Sequence, residues 1–148
     1  MMKDLLKTLV LLTALASIPA IAQQAHDFGE YSVHYNALNS SLLTPEVAKA
    51  YKIRRSDSRA LINISVLKKT GNQTMVAVNA RVLASGRNLT GQTRNVDMRE
   101  INDGDGAIYY IGELSVRNME TFDFTVMVTP EGESKPFSLK FRQQFYTE

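Results

Sequence analysis

The chain contains no cysteine and no tryptophan, and only two histidines, His26 and His34. Without cysteine it forms no disulfide, offers no thiol nucleophile and carries no lipid-modified N-terminal cysteine. In an oxidising compartment its stability must therefore come from packing alone. The lack of tryptophan removes the commonest sugar-stacking wall, and no Gly-x-Ser-x-Gly occurs to mark a serine hydrolase. Charge of one sign is also missing: 17 Lys and Arg stand interspersed among 15 Asp and Glu. Such a surface has no basic footprint for nucleic acid.

What is present begins with a secretory signal. Lys3 and Lys7 precede the apolar run Leu9–Ala22, which closes on Ala20-Ile21-Ala22, a small-x-small cleavage site. The run is shorter than the roughly 18–20 residues that span a bilayer, and Pro19 interrupts it. Cleavage after Ala22 divides the chain into a signal peptide, residues 1–22, and one domain, residues 23–148. Loss of Lys3, Lys7 and Asp4 lowers the formal net charge of +2 by one. The expected product is periplasmic and has no membrane anchor.

From Phe28 onward apolar residues recur at period two, the mark of strands with one buried face. Tyr31, Val33 and Tyr35 share a side of the first strand, and Ile62, Ile64 and Val66 a side of the second. Lys69-Thr70-Gly71-Asn72 is a turn, and Val76, Val78, Ala80 and Val82 continue in register, so a hairpin is expected there. Ser85–Gly91 reads as a loop and Thr93–Ile101 as a fourth strand. Asn102–Gly106 has tight-turn chemistry. The fifth strand, Ala107–Val116, is apolar on both faces and so belongs in the middle of a sheet. Two more strands carry Phe122, Phe124, Val126 and Val128, then Phe137, Leu139, Phe141 and Phe145, inward. The expected fold is an all-β, immunoglobulin- or fibronectin-like sandwich of about seven strands, with a closed barrel as the alternative.

Residues 39–56 break the pattern. Thr44 can cap a helix, Pro45 suits its first position and Glu46 complements its dipole, which predicts a short helix between the first two strands. Leu42, Leu43, Val47 and Tyr51 are expected to turn onto the open end of the sandwich. That leaves Glu46, Lys49, Lys52, Arg54 and Arg55 as the outward, candidate interaction surface.

Other chemistry has blander readings. His34 alternates with Val33 and Tyr35 and so faces outward, while His26 lies near the mature terminus. A copper site built on an N-terminal histidine needs cleavage after Ala25, which puts Gln23 where a small residue is required; cleavage after Ala22 makes His26 the fourth residue instead. Asn102–Gly106 lacks the downstream bidentate Glu of a calcium loop, because Glu113 falls too early. Arg54, Arg55 and Arg59 with Asp57 read as a solvated connection. Asn39, Asn63, Asn72 and Asn88 match the glycosylation pattern, which is chance in a periplasmic protein. No catalytic, metal or cofactor site is assigned.

The stretches VHYNALNSSLLTPEVAKAYKIRRSDSRALINISVLKK, NLTGQ, DGAIYYIGEL and PFSLKFRQQF together resemble a family of small exported proteins of Gram-negative bacteria known only as a domain of unknown function. The resemblance implies periplasmic location and a sandwich-like β fold, and brings no activity or catalytic residue with it. Lys52 departs from it, standing where that family is expected to have glycine; a helix ending there needs another route into the left-handed turn.

The function expected from these readings is a non-catalytic protein-interaction module of the cell envelope, whose partner is another envelope protein. The alternatives are a carrier of a small ligand or metal, using His26, His34 and the arginines, and an enzyme of unrecognised type. Intact-mass measurement of the periplasmic protein is expected to place its first residue at Gln23; a start at His26 would revive the copper reading.

Overall fold

The computed structural model describes residues 24–148. The expected signal peptide and the Ala22 cleavage point lie outside the described residues. Ten strands and one short helix make up the described chain: β1 (Gln24–Phe28), β2 (Tyr31–Asn39), α1 (Pro45–Ala50), β3 (Arg59–Lys69), β4 (Met75–Ala77), β5 (Ala80–Asn88), β6 (Thr93–Val96), β7 (Arg99–Asn102), β8 (Ile108–Ser115), β9 (Glu120–Pro130) and β10 (Phe137–Phe145). A 3-10 turn, Ser40–Leu42, precedes α1.

The strands form two antiparallel sheets. The first runs β1-β2-β3-β8-β7, with β4 also on β3; the second runs β10-β9-β5-β6. Their inner faces share one core, in which Ile62, Ile64 and Tyr110 of the first sheet meet Phe122, Phe124 and Phe145 of the second. Phe122 lies 5.7 Å from Phe124 and 6.3 Å from Phe145, centroid to centroid. Aromatic pairs at such separations add about 0.5–1.5 kcal/mol beyond the area they bury.

The expectation of about seven strands is corrected to ten, because three of the expected strands are each two. Phe28 belongs to a separate hairpin strand, β1, so the helix lies between the second and third strands instead of the first two. The segment read as one strand from Thr74 to Ala84 leaves the first sheet after Ala77 and enters the second at Ala80, so the hairpin with β3 lasts only three residue pairs. Thr93–Ile101 likewise crosses between Val96 and Arg99. At such a corner the apolar alternation runs on unchanged, since both halves keep one face toward the same core.

A tyrosine and a glycine of β8 shape the two corners. The Tyr110 hydroxyl accepts a hydrogen bond from the Ala80 N–H at 2.8 Å and donates to Glu100 Oε1 at 2.9 Å, tying the start of β5 to the opposite sheet. Burial pushes this phenol up to about 12, and the Glu100 carboxylate adds to the shift. At the second corner the chain passes over Gly112 of β8, where a Cβ would sit 2.5 Å from Val96 Cγ1 and 2.9 Å from the Asp97 carbonyl oxygen.

Gly86 has a related role. It was expected in a loop, yet it lies within β5, where a Cβ would stand 2.8 Å from the Phe124 ring. The real turn is the short link after Asn88, whose buried side-chain amide donates to Gln92 Oε1 and Glu120 Oε2. The expected double cover of β8 is observed: Tyr110 and Leu114 fill the shared core, and Ile111 on the other face is 3% exposed.

Gly112→Ala forces backbone of the second corner to move, and is expected to cost about 1–3 kcal/mol in urea unfolding, as overpacking typically does. Gly71→Ala, with open space around it, is expected to stay within about 0.5 kcal/mol of the parent.

Candidate functional site

The long connection from β2 to β3, residues 40–58, contains the local signals read from the sequence. Thr44 Oγ1 accepts the Val47 N–H at 3.3 Å, Pro45 occupies the first turn and Glu46 follows it. The helix ends in a Schellman-type turn: Ile53 N–H donates to the Ala48 carbonyl at 2.8 Å, and Lys52 takes the left-handed conformation at φ 55. Lysine thus does here what glycine does more cheaply.

Six residues of helix are too few to persist alone. Ties at its base hold the connection. The fully buried Ser40 hydroxyl donates to the Arg54 carbonyl at 2.7 Å and accepts the Ser56 N–H at 2.9 Å. Beside it, Asn39 Nδ2 donates to the carbonyls of Asp57 at 2.7 Å and Tyr146 at 2.9 Å. The Arg99 guanidinium donates to the Tyr51 carbonyl at the helix end.

Held this way, α1 lies on the outer face of the first sheet and not over the open end between the sheets. Ala48 and Ile53 pack on Leu61 of β3 and Ile111 of β8, with Leu43, Tyr51 and Tyr109 around them. This corrects the expectation that Leu42 and Val47 are turned into the core: they are 68% and 39% exposed. The outer face of β3 and β8 was apolar for the helix's sake, and one helix of this length cannot reach across to β2.

Between α1 and β2 a groove of about 490 Å³ therefore remains. Leu38, Leu42, Leu43, Val47 and Tyr109 form its apolar walls, and Asn36 and Asn63 lie in its floor. These two asparagines are directly opposite each other on β2 and β3. The side-chain oxygens of both are buried and have no hydrogen-bond partner among the described residues. Burial holds the Tyr51 hydroxyl above the usual phenol range, with Tyr109 and Asp103 adding to it.

A second cleft of about 390 Å³ lies on the other side of β2, between it and β10; Gln24, Ala37, Asn39, Phe141 and Gln143 are among its lining residues. The two hollows share Asn36, Leu38 and Leu42.

Glu46, Lys49, Lys52, Arg54 and Arg55 are all exposed. They do not form one anion site: Arg55 donates to the Ser41 carbonyl at 3.1 Å, and Arg59 pairs with Glu113 at 3.4 Å. His26 stands opposite Val33 with its ring tilted against Phe28, 4.6 Å between centroids, while His34 stands opposite Ala25 with its ring 3.4 Å from Ser32 Oγ. Neighbouring positions on a strand face opposite ways, so the two histidines are not brought together. Among the described residues no three His, Cys, Asp or Glu side chains gather to hold a metal ion. Asn102–Gly106 turns β7 into β8, with Asp103 Oδ1 accepting the Asp105 N–H at 3.0 Å.

Asn36 and Asn63 were not singled out together from the sequence, where Asn63 figured only as a glycosylation match. The available signal was a polar side chain at the centre of a strand on each of two neighbouring strands; only the register joins them.

The chain belongs to the DUF4426 family, described as a domain of unknown function, whose family model matches residues 25–148. It is similar to a crystal structure of a DUF4426 family protein from Pseudomonas aeruginosa PAO1, at 32% identity and a TM-score of 0.72, over 85% of this chain and 96% of that one. No curated protein matches it.

The floor and the base of the groove should respond oppositely to mutation. Leaving a buried acceptor unpaired costs about 1–3 kcal/mol, so Asn63→Val is expected to raise unfolding stability by about 1–2 kcal/mol. Ser40→Ala strands the Ser56 N–H and the Arg54 carbonyl and is expected to lower it by about 1–3 kcal/mol. Urea titration of both variants measures the two signs.

Proposed function

We propose that this DUF4426 protein is a non-catalytic binding module, exported to the periplasm, that receives another protein of the cell envelope in the groove between α1 and the first sheet. One observation carries the reading: two buried amide oxygens lie unpaired in the floor of an apolar groove whose rim holds the exposed Leu42 and Val47. Unpaired acceptors in a folded protein are uncommon and costly, and donors on an occupant would relieve them. The exposed rim supplies apolar area for the same occupant.

A passive role is supported by the groove's composition. Its lining has no carboxylate, histidine or lysine, so it offers shape and hydrogen bonds and no general acid or base near neutral pH. The signal-like leader supports export, and a domain free of cysteine suits a compartment in which thiols are oxidised. The finer fold reading is an immunoglobulin-like sandwich. Its support is the strand order, in which β2-β3-β8-β7 and β10-β9-β5 follow the A-B-E-D and G-F-C pattern of that fold, with β6 in the added C′ place and β1 and β4 as extras.

A second reading, a small-ligand carrier, is favoured by the groove's size, which falls in the range of about 300–1,000 Å³ typical of ligand pockets. The test separates the two. A photo-crosslinking residue placed at Leu42 in intact cells is expected to capture an envelope protein that one placed at Leu83, exposed on the other sheet, does not. Val47→Asp, which sets a carboxylate against the groove, is expected to reduce that product about tenfold or more. Identical products from Leu42 and Leu83 reject the protein partner. A native mass spectrum of the periplasmic protein carrying a small adduct that is lost in Asn36→Val would favour the carrier.

A further inference from the structure

β2 is longer than the strand that covers its outer edge. β1 pairs with it from Tyr31 to Tyr35, with Gln24 opposite Tyr35, whereas β2 continues to Asn39. Opposite the last positions of β2 the described chain supplies no strand.

The phase of the ladder shows which main-chain groups this leaves open. Lys69 N–H donates to the Glu30 carbonyl and Val78 N–H to the Val66 carbonyl, which places the even-numbered residues of β2 in hydrogen-bonded pairs with β3. Odd-numbered residues point to the other edge. The N–H and C=O of Ala37 and the N–H of Asn39 therefore face outward, beyond the end of β1.

We propose that this half-edge, unpaired among the described residues, receives an extended segment of another polypeptide, added as a strand in line with β1. The proposal rests on the binding-module reading and names the form of the partner. Three observations converge on it. The edge is already used for pairing over its first half, so an added strand continues an existing ladder. The two hollows lie on opposite faces of these same residues and share Asn36, Leu38 and Leu42. Alternate side chains of a strand point to opposite faces, so an added strand drops them in turn into one hollow and the other.

The hollows then specify the chemistry. A residue opposite Leu38 enters the apolar groove under Leu42 and Val47, and calls for a leucine-like side chain. Residues opposite Ala37 and Asn39 enter the cleft beside Phe141 and Gln143, which offers amides and suits small or polar side chains. The partner is an extended segment with an apolar residue flanked by polar ones. Its main chain supplies the hydrogen bonds, as in other strand-addition complexes.

The test uses the protein beginning at Gln23 and, as probe, a capped peptide in which leucine and threonine alternate between terminal lysines. Binding is expected to slow hydrogen exchange at the Ala37 and Asn39 amides in nitrogen-15 spectra, with little change at Leu38. The same peptide N-methylated at its central residues keeps the side chains but loses main-chain donors, and is expected to bind about tenfold more weakly or worse. Equal binding of the two peptides, or slowed exchange confined to groove side chains, overturns strand addition while leaving the groove reading intact. Failure of both peptides to bind overturns it as well, and crosslinking from Leu42 then decides separately whether the groove has a protein occupant. A protein that dimerises with protection of the same two amides overturns the proposal in favour of a second copy.

Discussion

The candidate site depends on one buried hydroxyl. Residues 40–58 leave the sheet at Asn39 and return at Arg59, and nothing in a helix of six residues would keep so long an excursion flat against the protein. Ser40 bonds the Arg54 carbonyl and the Ser56 N–H at once, so the two ends of the excursion meet at a single atom. Asn39 extends the tie to Asp57 and, across the open side of the fold, to the carbonyl of Tyr146. With its base closed, the excursion has little freedom except to lie down. It lies on the first sheet because Leu61 and Ile111 offer apolar surface there, and Ala48 and Ile53 cover it.

That arrangement leaves a boundary. β3 and β8 present apolar residues outward where α1 rests, and β2 presents Asn36 and Leu38 where it does not reach. The groove is the strip between covered and uncovered sheet, and its floor pairs two asparagines across a ladder position. A β-branched apolar pair at that position would pack better and leave no acceptor stranded. The chain instead keeps amides there and apolar side chains, Leu42 and Val47, on the open rim. The proposed occupant, with donors and apolar surface of its own, would use both.

Features set by a few neighbouring residues were legible in the sequence. The cap at Thr44, the proline after it and the alternation of Phe122, Phe124, Val126 and Val128 all needed only local chemistry. The central position of β8 was legible for the same reason, since both of its faces are apolar. The two corners at Val78–Asn79 and Asp97–Met98 were not, because period-two alternation carries no mark of which sheet a strand belongs to. Gly86 misled as a loop signal: its freedom is used for a close approach to Phe124, which depends on a strand far away in the chain. The orientation of Leu42 and Val47 depended on which surface the helix met, and the Asn36–Asn63 pair on register between strands. All of these are long-range facts.

The second sheet shows by contrast what an unburdened outer face looks like. Arg142 makes a two-bond contact with Asp123 at 2.7 and 2.9 Å, directly across the β9–β10 ladder, and the Arg142 guanidinium holds that carboxyl below its usual range. Exposed apolar residues on the rest of the molecule, Leu83 and Met119 among them, do not line the two hollows around β2. On the first sheet an open stretch of edge, stranded amide acceptors and an apolar rim adjoin one another. Each alone has an ordinary structural explanation: edges exist, some acceptors go unpaired, some leucines face water. Their meeting around Asn36–Asn39 of β2 is what the proposed added strand would use, engaging the edge with its main chain and the rim with an apolar side chain.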